Sequence, residues 1–250
     1  MRLGFRASTV SMHAAEARKE GTMKTNKAVM TLLVPSALWL ALVLGCSYLR
    51  NRTTLPLSSG GESTGSKDYF PLRVGDTWKY RSTTADGKQS EFSIKVLNEE
   101  KENDNTLYLV ETVSTFQPIH DWYSKPSGWV LMHRQEYVKA GNKAEYDPTK
   151  QFLKNPLMSG DSWHWKGKGM MGLEIDESND VSGPETVSVP AGKFEAMKVL
   201  TKVVQGGTPV MKTYWYARGV GLVKSMTDTG SVKSTTELLE YSAVLRDKHS

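Results

Sequence analysis

Phe92, Ile94 and Val96 alternate with Glu91, Ser93 and Lys95. This is the period-two pattern of a strand with one buried face. Runs rich in β-branched and aromatic side chains recur at residues 107–116, 129–138, 194–204, 210–216 and 222–226, and turn residues stand between them. Asp86-Gly87 and Gly206-Gly207 predict tight hairpins. Asn103-Asp104-Asn105 and Asp228-Thr229-Gly230 predict further reversals. Between Val189 and Phe194, Pro190 suits the second place of a type I turn and Gly192 the fourth. No stretch after residue 67 keeps a helical period over three turns, and 236–245 is the least clear segment. The expectation is an all-β domain.

The domain reads as containing itself twice. Pro71-Leu72-Arg73-Val74-Gly75-Asp76-Thr77-Trp78-Lys79-Tyr80 lines up with Pro156-Leu157-Met158-Ser159-Gly160-Asp161-Ser162-Trp163-His164-Trp165. Trp122-Tyr123 followed by Gly128-Trp129-Val130 lines up with Trp215-Tyr216 followed by Gly221-Leu222-Val223. Each first block reads as a turn that delivers a strand, with Gly for unusual backbone angles and Asp to bond nearby amides. Residues two apart share a sheet face, so Trp78/Tyr80 and Trp163/Trp165 are expected to form corresponding layers of one core or groove. Two antiparallel meanders of four or five strands each, about 69–150 and 151–246, are expected from this internal duplication. They would form a half-barrel, a closed barrel or a sandwich, which manage strand edges to different degrees.

Ahead of the domain the pattern changes. An apolar run from Ala28 ends at Val43-Leu44-Gly45-Cys46, and Cys46 is the only cysteine in the chain. Met23, Lys24 and Lys27 suit the start and basic region of a secretory signal, Leu32–Leu44 its apolar region and Gly45 its small residue. An uncleaved transmembrane anchor is the alternative, although the run is near the lower length limit for a span. Residues 1–22 fit neither part, and translation is expected to begin at Met23. The ending resembles the lipobox of bacterial lipoproteins, in which the cysteine is lipidated and becomes the new N-terminus. That resemblance implies a leader over 1–45 and membrane attachment through Cys46. More than one acyl chain is then usual, which anchors firmly because each buried methylene contributes about 0.8 kcal/mol. Ser47, where Gram-negative inner-membrane lipoproteins commonly carry Asp, points to the outer membrane and the periplasm.

Cleavage changes the charge balance. The chain holds 32 Lys+Arg and 27 Asp+Glu, but residues 1–45 contain six of the former and two of the latter, leaving 26 against 25. The basic pI belongs mostly to the leader, so nothing points to nucleic acid. A lipidated Cys46 leaves the domain with no disulfide and no thiol ligand. Residues 46–66, rich in Gly, Ser and Thr, are expected to act as a flexible tether about 2 nm long. The folded domain is expected over 67–250.

Tyr69–Tyr80, Val189–Val199 and Tyr214–Lys224 together resemble three blocks shared by a group of bacterial lipoproteins and exported proteins. The resemblance covers most of 69–224 and implies an address without an activity. A looser similarity, of architecture and compartment alone, is to curved β-sheet carriers of the lipoprotein-localisation type.

Candidate chemistry is sparse. His120, His133, His164 and His249 have no helical metal-site spacing, and they read as surface or strand-edge histidines. No GxSxG nucleophile is present, and no phosphate loop either. Glu99-Glu100 and Asp176-Glu177 read as solvated charges beside turns, and Asp76 and Asp161 as turn formers. No catalytic residue, metal or cofactor is assigned. The aromatics are the remaining feature: Trp122, Trp163, Trp165, Tyr214, Trp215 and Tyr216 are candidate binding residues. Tyr214 and Tyr216 must share one face and Trp215 the other, so one large ring faces away from the core unless both faces are covered. The reading is a non-catalytic lipoprotein that binds an apolar ligand or an envelope protein partner. An envelope hydrolase or sugar-active enzyme is the alternative, and a structural lipoprotein that only oligomerises is a third.

Overall fold

The computed structural model describes residues 67–243. The leader, Cys46, the tether and residues 244–250 lie outside them. The chain forms twelve strands: β1 (Thr77–Thr84), β2 (Gln89–Glu102), β3 (Asn105–Val113), β4 (Pro118–Ser124), β5 (Gly128–Tyr137) and β6 (Asn142–Asn155) come first. β7 (Ser162–Lys168), β8 (Glu174–Val189), β9 (Gly192–Gln205), β10 (Thr208–Ala217), β11 (Gly221–Asp228) and β12 (Lys233–Ser242) follow. A single 3-10 turn, Met170–Gly172, joins β7 to β8. Every strand pairs antiparallel with its chain neighbours, and β1 pairs with both β2 and β12. Of the three expected shapes the chain takes the closed barrel, which leaves no strand edge at the two ends of the meander.

Each block contributes six strands rather than four or five. β8 was hidden in the sequence because its inward positions are Ile175, Glu177, Asn179 and Val181, all buried. Hydropathy cannot show a period when half of the buried face is polar. β12, the unclear segment, pairs over 233–242 with Thr236 and Leu238 buried.

The two aligned turns have the same hydrogen bonds. Gly75 N donates to Val96 O at 2.9 Å, and Val96 N donates to Asp76 O at 3.0 Å. Gly160 N donates to Val181 O at 3.0 Å, and Val181 N to Asp161 O at 2.8 Å. The Asp76 carboxylate accepts from Arg73 N at 3.3 Å and that of Asp161 from Met158 N at 2.9 Å. Gly75 and Gly160 sit at φ 94° and 88°, where a side chain would strain the backbone. The aligned strands β4 and β10 both shift register between their Trp and Tyr, at Trp122/Tyr123 and Trp215/Tyr216.

Eight strands enclose just enough room for side chains, and sixteen leave a channel. Twelve strands therefore need large residues to fill them. Here the filling is aromatic: Trp78, Tyr80, Tyr123, Tyr146, Trp165 and Tyr216 are all buried in one core cluster. Away from the β1 entrance the inward positions turn polar, with Ser82, Gln135, Asn179, Thr201, Thr227 and Thr236 buried. The outer walls of β1 and β2 carry Lys79 and Arg81 paired with Glu91, unlike the apolar band of a lipid-embedded barrel. Among the described residues no helix is long and apolar enough to cross a membrane.

Candidate functional site: a strapped barrel mouth and the chamber beneath it

Residues 67–76 precede β1 and cross the barrel end where β1 begins. We call this segment the strap. Its Tyr69 and Leu72 side chains are buried, and Phe70 packs on Tyr123 and Phe152 with ring centroids 5.2 and 5.4 Å away. A polar clasp holds it down. The Asp68 carboxylate accepts from Lys125 Nζ at 2.6 Å and from Asn155 Nδ2 at 2.8 Å. Lys125 Nζ also donates to Phe70 O at 2.7 Å, and Tyr69 N donates to Asn155 Oδ1 at 2.9 Å. Gly219 N reaches Asp68 O at 2.7 Å, and Arg218 Nε reaches Tyr69 OH at 2.9 Å. Burial alone would raise the Asp68 pKa, but the Lys125 ammonium and these donors hold it below the ordinary carboxylate value.

Beneath the strap lies an apolar cavity of about 70 Å³. Phe70 and Leu72 of the strap line it together with Trp78, Val110, Tyr123 and Tyr216. An apolar core cavity of about 150 Å³ holds benzene, so this smaller space admits a larger molecule only if the strap moves. Phe152, Tyr214 and Tyr216 separate it from a smaller cavity of about 20 Å³, whose walls include Lys150, Glu177 and Lys212.

That second chamber is charged. Lys150 Nζ lies 2.6 Å from Glu177 Oε2, with both side chains under a tenth exposed. Asn179 Nδ2 donates to Glu177 Oε1 at 3.3 Å, and Thr201 Oγ1 donates to Asn179 Oδ1 at 2.7 Å. Lys212 is buried on the face that also carries Tyr214 and Tyr216. Burial lowers its pKa to about 8 against the attraction of Glu177. Glu177 thus corrects the expectation of a solvated charge beside a turn. It sits in mid-strand, on the inward face of β8, where an ionised carboxylate requires a partner.

The sequence-derived aromatics divide by face. Tyr214 and Tyr216 line both cavities, and Trp163 lines the smaller one. The Trp165 ring faces Lys150 Nζ at 5.5 Å. Trp163 and Trp165 also donate their indole N–H groups to Gln151 O and Pro148 O of β6, at 3.1 and 3.2 Å. The counterparts in the first block do likewise: Trp78 Nε1 donates to Val220 O at 2.7 Å and Tyr80 OH to Leu222 O at 2.8 Å. Trp122 and Trp215 stand on the outer wall. Trp122 donates to Glu100 Oε1 at 2.7 Å beneath Arg134, 4.6 Å from its ring. Trp215 donates to Glu185 Oε1, with Lys198 5.6 Å over its ring. The ring expected to face away from the core is only 7% exposed, with Lys198 over it and Glu185 at its indole N–H. Phe70, Phe152, Lys150 and Lys212 escaped the sequence reading. Lys212 had a signal, standing two residues before Tyr214 and so on its face.

The histidines pair locally. His120 Nε2 lies 3.0 Å from Glu111 Oε2, and the exposed His164 lies 2.9 Å from Asp176 Oδ1. His133 Nε2 lies 2.8 Å from Ser124 Oγ, a pair of the type that activates a nucleophile. Ser124 is only 2% exposed, so its hydroxyl is closed to a substrate. Burial also lowers the His133 pKa. The Asp121 carboxyl, held by Gln135 Nε2 at 2.8 Å, is pushed up to about 7 by burial. Among the described residues no three His, Cys, Asp or Glu side chains converge to hold a metal ion.

Comparison with known proteins gives similarity to solved structures at low sequence identity. No curated protein matches the chain. A candidate lipoprotein from Parabacteroides distasonis is similar over 70% of this chain and 98% of its own, with 17% identity and a TM-score of 0.46. A candidate exported protein with a YmcC-like fold from Bacteroides fragilis is similar over 70% of this chain and 99% of its own, with 16% identity and a TM-score of 0.49. The hypothetical lipoprotein YmcC of Escherichia coli is similar over 73% and 92%, with 8% identity and a TM-score of 0.32. Residues 119–238, from β4 to β12, match the DUF3108-like family.

Proposed function

We propose that this protein is a lipoprotein of the Gram-negative outer membrane, facing the periplasm, that holds an apolar ligand inside a duplicated twelve-strand barrel. Cys46 is the lipidation site, and residues 46–66 form the tether that leads from it to the strap. The strap is thus the part of the barrel nearest the anchor along the chain. The role is binding or envelope assembly without catalysis.

The observation that carries this reading is the apolar cavity under the strap, bounded by Phe70, Leu72 and Tyr216. The strap is fastened by polar contacts around Asp68 and Lys125, by the buried Tyr69 and Leu72, and by backbone bonds with Val96 only at Gly75 and Asp76. A lid of this kind opens at lower cost than the barrel wall.

The test uses the full chain expressed in a Gram-negative host and released from membranes in mild detergent. Intact and native mass spectra are recorded, followed by organic extraction. The expected result is a mature chain that begins at acylated Cys46 and carries a releasable apolar molecule. Cys46→Ser should abolish the acylation. An unprocessed N-terminus overturns the lipoprotein reading, and a ligand-free mass with an empty extract overturns the interior site.

A further inference from the structure

Thr112 Oγ1 is closed to water and has no hydrogen-bond partner among the described residues. Thr112 is 7% exposed, stands on β3 and lines the apolar cavity beneath the strap. A buried hydroxyl without a partner costs free energy that Val, of the same shape, would not. The cavity wall gives it a polar neighbour. Asp121 of β4 lies opposite Val110, so Thr112, two residues on, is its diagonal neighbour on the same sheet face. Asp121 also lines the cavity. Gln135 Nε2 donates to Asp121 Oδ1 at 2.8 Å, and the carboxyl keeps its proton up to about pH 7. The rest of the wall is uncharged. Among the described residues no Lys, Arg or His lines it, and burial raises the pKa of Tyr80, Tyr123, Tyr214 and Tyr216. Trp78 and Tyr80 direct their donors to the carbonyls of Val220 and Leu222.

We propose that Thr112 and Asp121 form a hydrogen-bonding pair for the ligand, and that the ligand is an uncharged, largely hydrocarbon molecule with one hydroxyl group. The inference rests on the interior site proposed above and adds its ligand class. The ligand hydroxyl accepts from the Asp121 O–H and donates to Thr112 Oγ1. The single side-chain torsion of Thr112, χ1, aims this oxygen. The hydrocarbon part lies against Tyr123, Phe152 and Tyr216 in place of Phe70, which moves out with the strap. An anion meets no cation on this wall, and an ammonium group faces neutral partners only, so either is a costly buried charge. A plain hydrocarbon leaves the Thr112 hydroxyl unpartnered.

Four probes share one ring and differ in its substituent: benzyl alcohol, ethylbenzene, benzylammonium and benzoate. Each is titrated calorimetrically at pH 5.5 into the lipidated full chain in phosphatidylcholine nanodiscs, with empty discs as the blank. An apolar wall alone would reproduce the partition of the probes between water and hexadecane. The affinity ratio of benzyl alcohol to ethylbenzene should therefore exceed the ratio of their water-to-hexadecane partition coefficients by at least tenfold. Thr112→Val should remove this excess, and Thr112→Ser should keep it. Neither ion should bind. The comparison in the unmutated protein is decisive even if a variant fails to fold. An affinity ratio equal to the partition ratio, as when Thr112 meets only a buried water, overturns the inference and leaves the interior site standing. So does an excess that survives Thr112→Val, or an ion that binds more tightly than the alcohol. Binding of none of the four overturns the inference, and a ligand-free native mass in addition overturns the interior site itself.

Discussion

At the scale of single residues, the interior charges set the response to pH. Burial raises the Asp121 pKa from 3.8 to about 7. In the unfolded chain the carboxyl ionises near 3.8, whereas in the barrel it keeps its proton until about 7. Between those values the unfolded state binds fewer protons, so stability falls as pH rises through the window. The loss is at most about 4 kcal/mol at and above neutral pH, at 1.36 kcal/mol per unit. Asp121→Asn retains an oxygen for Gln135 and removes the titration. Urea unfolding at pH 4, 5.5 and 7.5 should show the variant gaining on the parent with each step, and a constant difference would refute the assignment. Lys212 acts in a different window. Its folded pKa, about 8, lies below the ordinary 10.5, so its contribution makes stability rise with pH between those values.

Among the elements, the seam between β6 and β7 is the weak join of the wall. These strands pair at one position only, Asp147 with Lys168, whereas β8 and β9 pair from Ile175 to Val189. A missing ladder leaves backbone carbonyls to be satisfied by other donors. Trp163 and Trp165 supply two of them through their indole N–H groups. Trp165→Phe keeps most of the ring and removes its donor. It should cost about 1 kcal/mol, and amide exchange should rise first in β6 and β7. Uniform faster exchange around the whole barrel would mean that the seam is no weaker than the rest of the wall. The aligned pair Trp78 and Tyr80 has the corresponding task at the start of β11. There the β11–β12 pairing begins only at Lys224 with Glu237.

For the molecule as a whole, the described residues form a barrel wall with a strap across the end where β1 begins, fastened in part by the Asp68–Lys125 ion pair. Lys125 and hydrogen-bond donors keep the Asp68 pKa below 3.8 despite burial. The clasp is therefore at full strength above that pH and is lost as pH falls through the lower, folded value. Asp68→Asn removes the charge at all pH values. The neutral fluorophore N-phenyl-1-naphthylamine should bind the Asp68→Asn variant at least threefold more tightly than the parent at pH 7. As pH falls below 3.8 and through the lower, folded value, the parent should approach the variant. Identical binding throughout would show that the strap does not control access to the cavity.

Much of this architecture was legible in the chain. Alternation at Phe92–Val96, the hairpin pairs Asp86-Gly87 and Gly206-Gly207, and the absence of helical period pointed to antiparallel sheet, because turn chemistry and the two-residue repeat are local properties. The aligned PLxxGD segments likewise specified two turns that the structure builds with the same hydrogen bonds. Closure was not legible, since pairing β1 with β12 joins residues 77 and 242, and no local pattern encodes that contact. β8 escaped because its buried face carries Glu177 and Asn179, which look like solvent-facing residues until Lys150 and Thr201 are placed beside them. Trp215 looked like an outward-facing ring, yet it is buried, and Glu185 and Lys198, distant along the chain, lie against it. Local chemistry thus determined the strands and turns. The tertiary structure alone decided which charges share the barrel interior, because burial and partnership depend on residues distant along the chain.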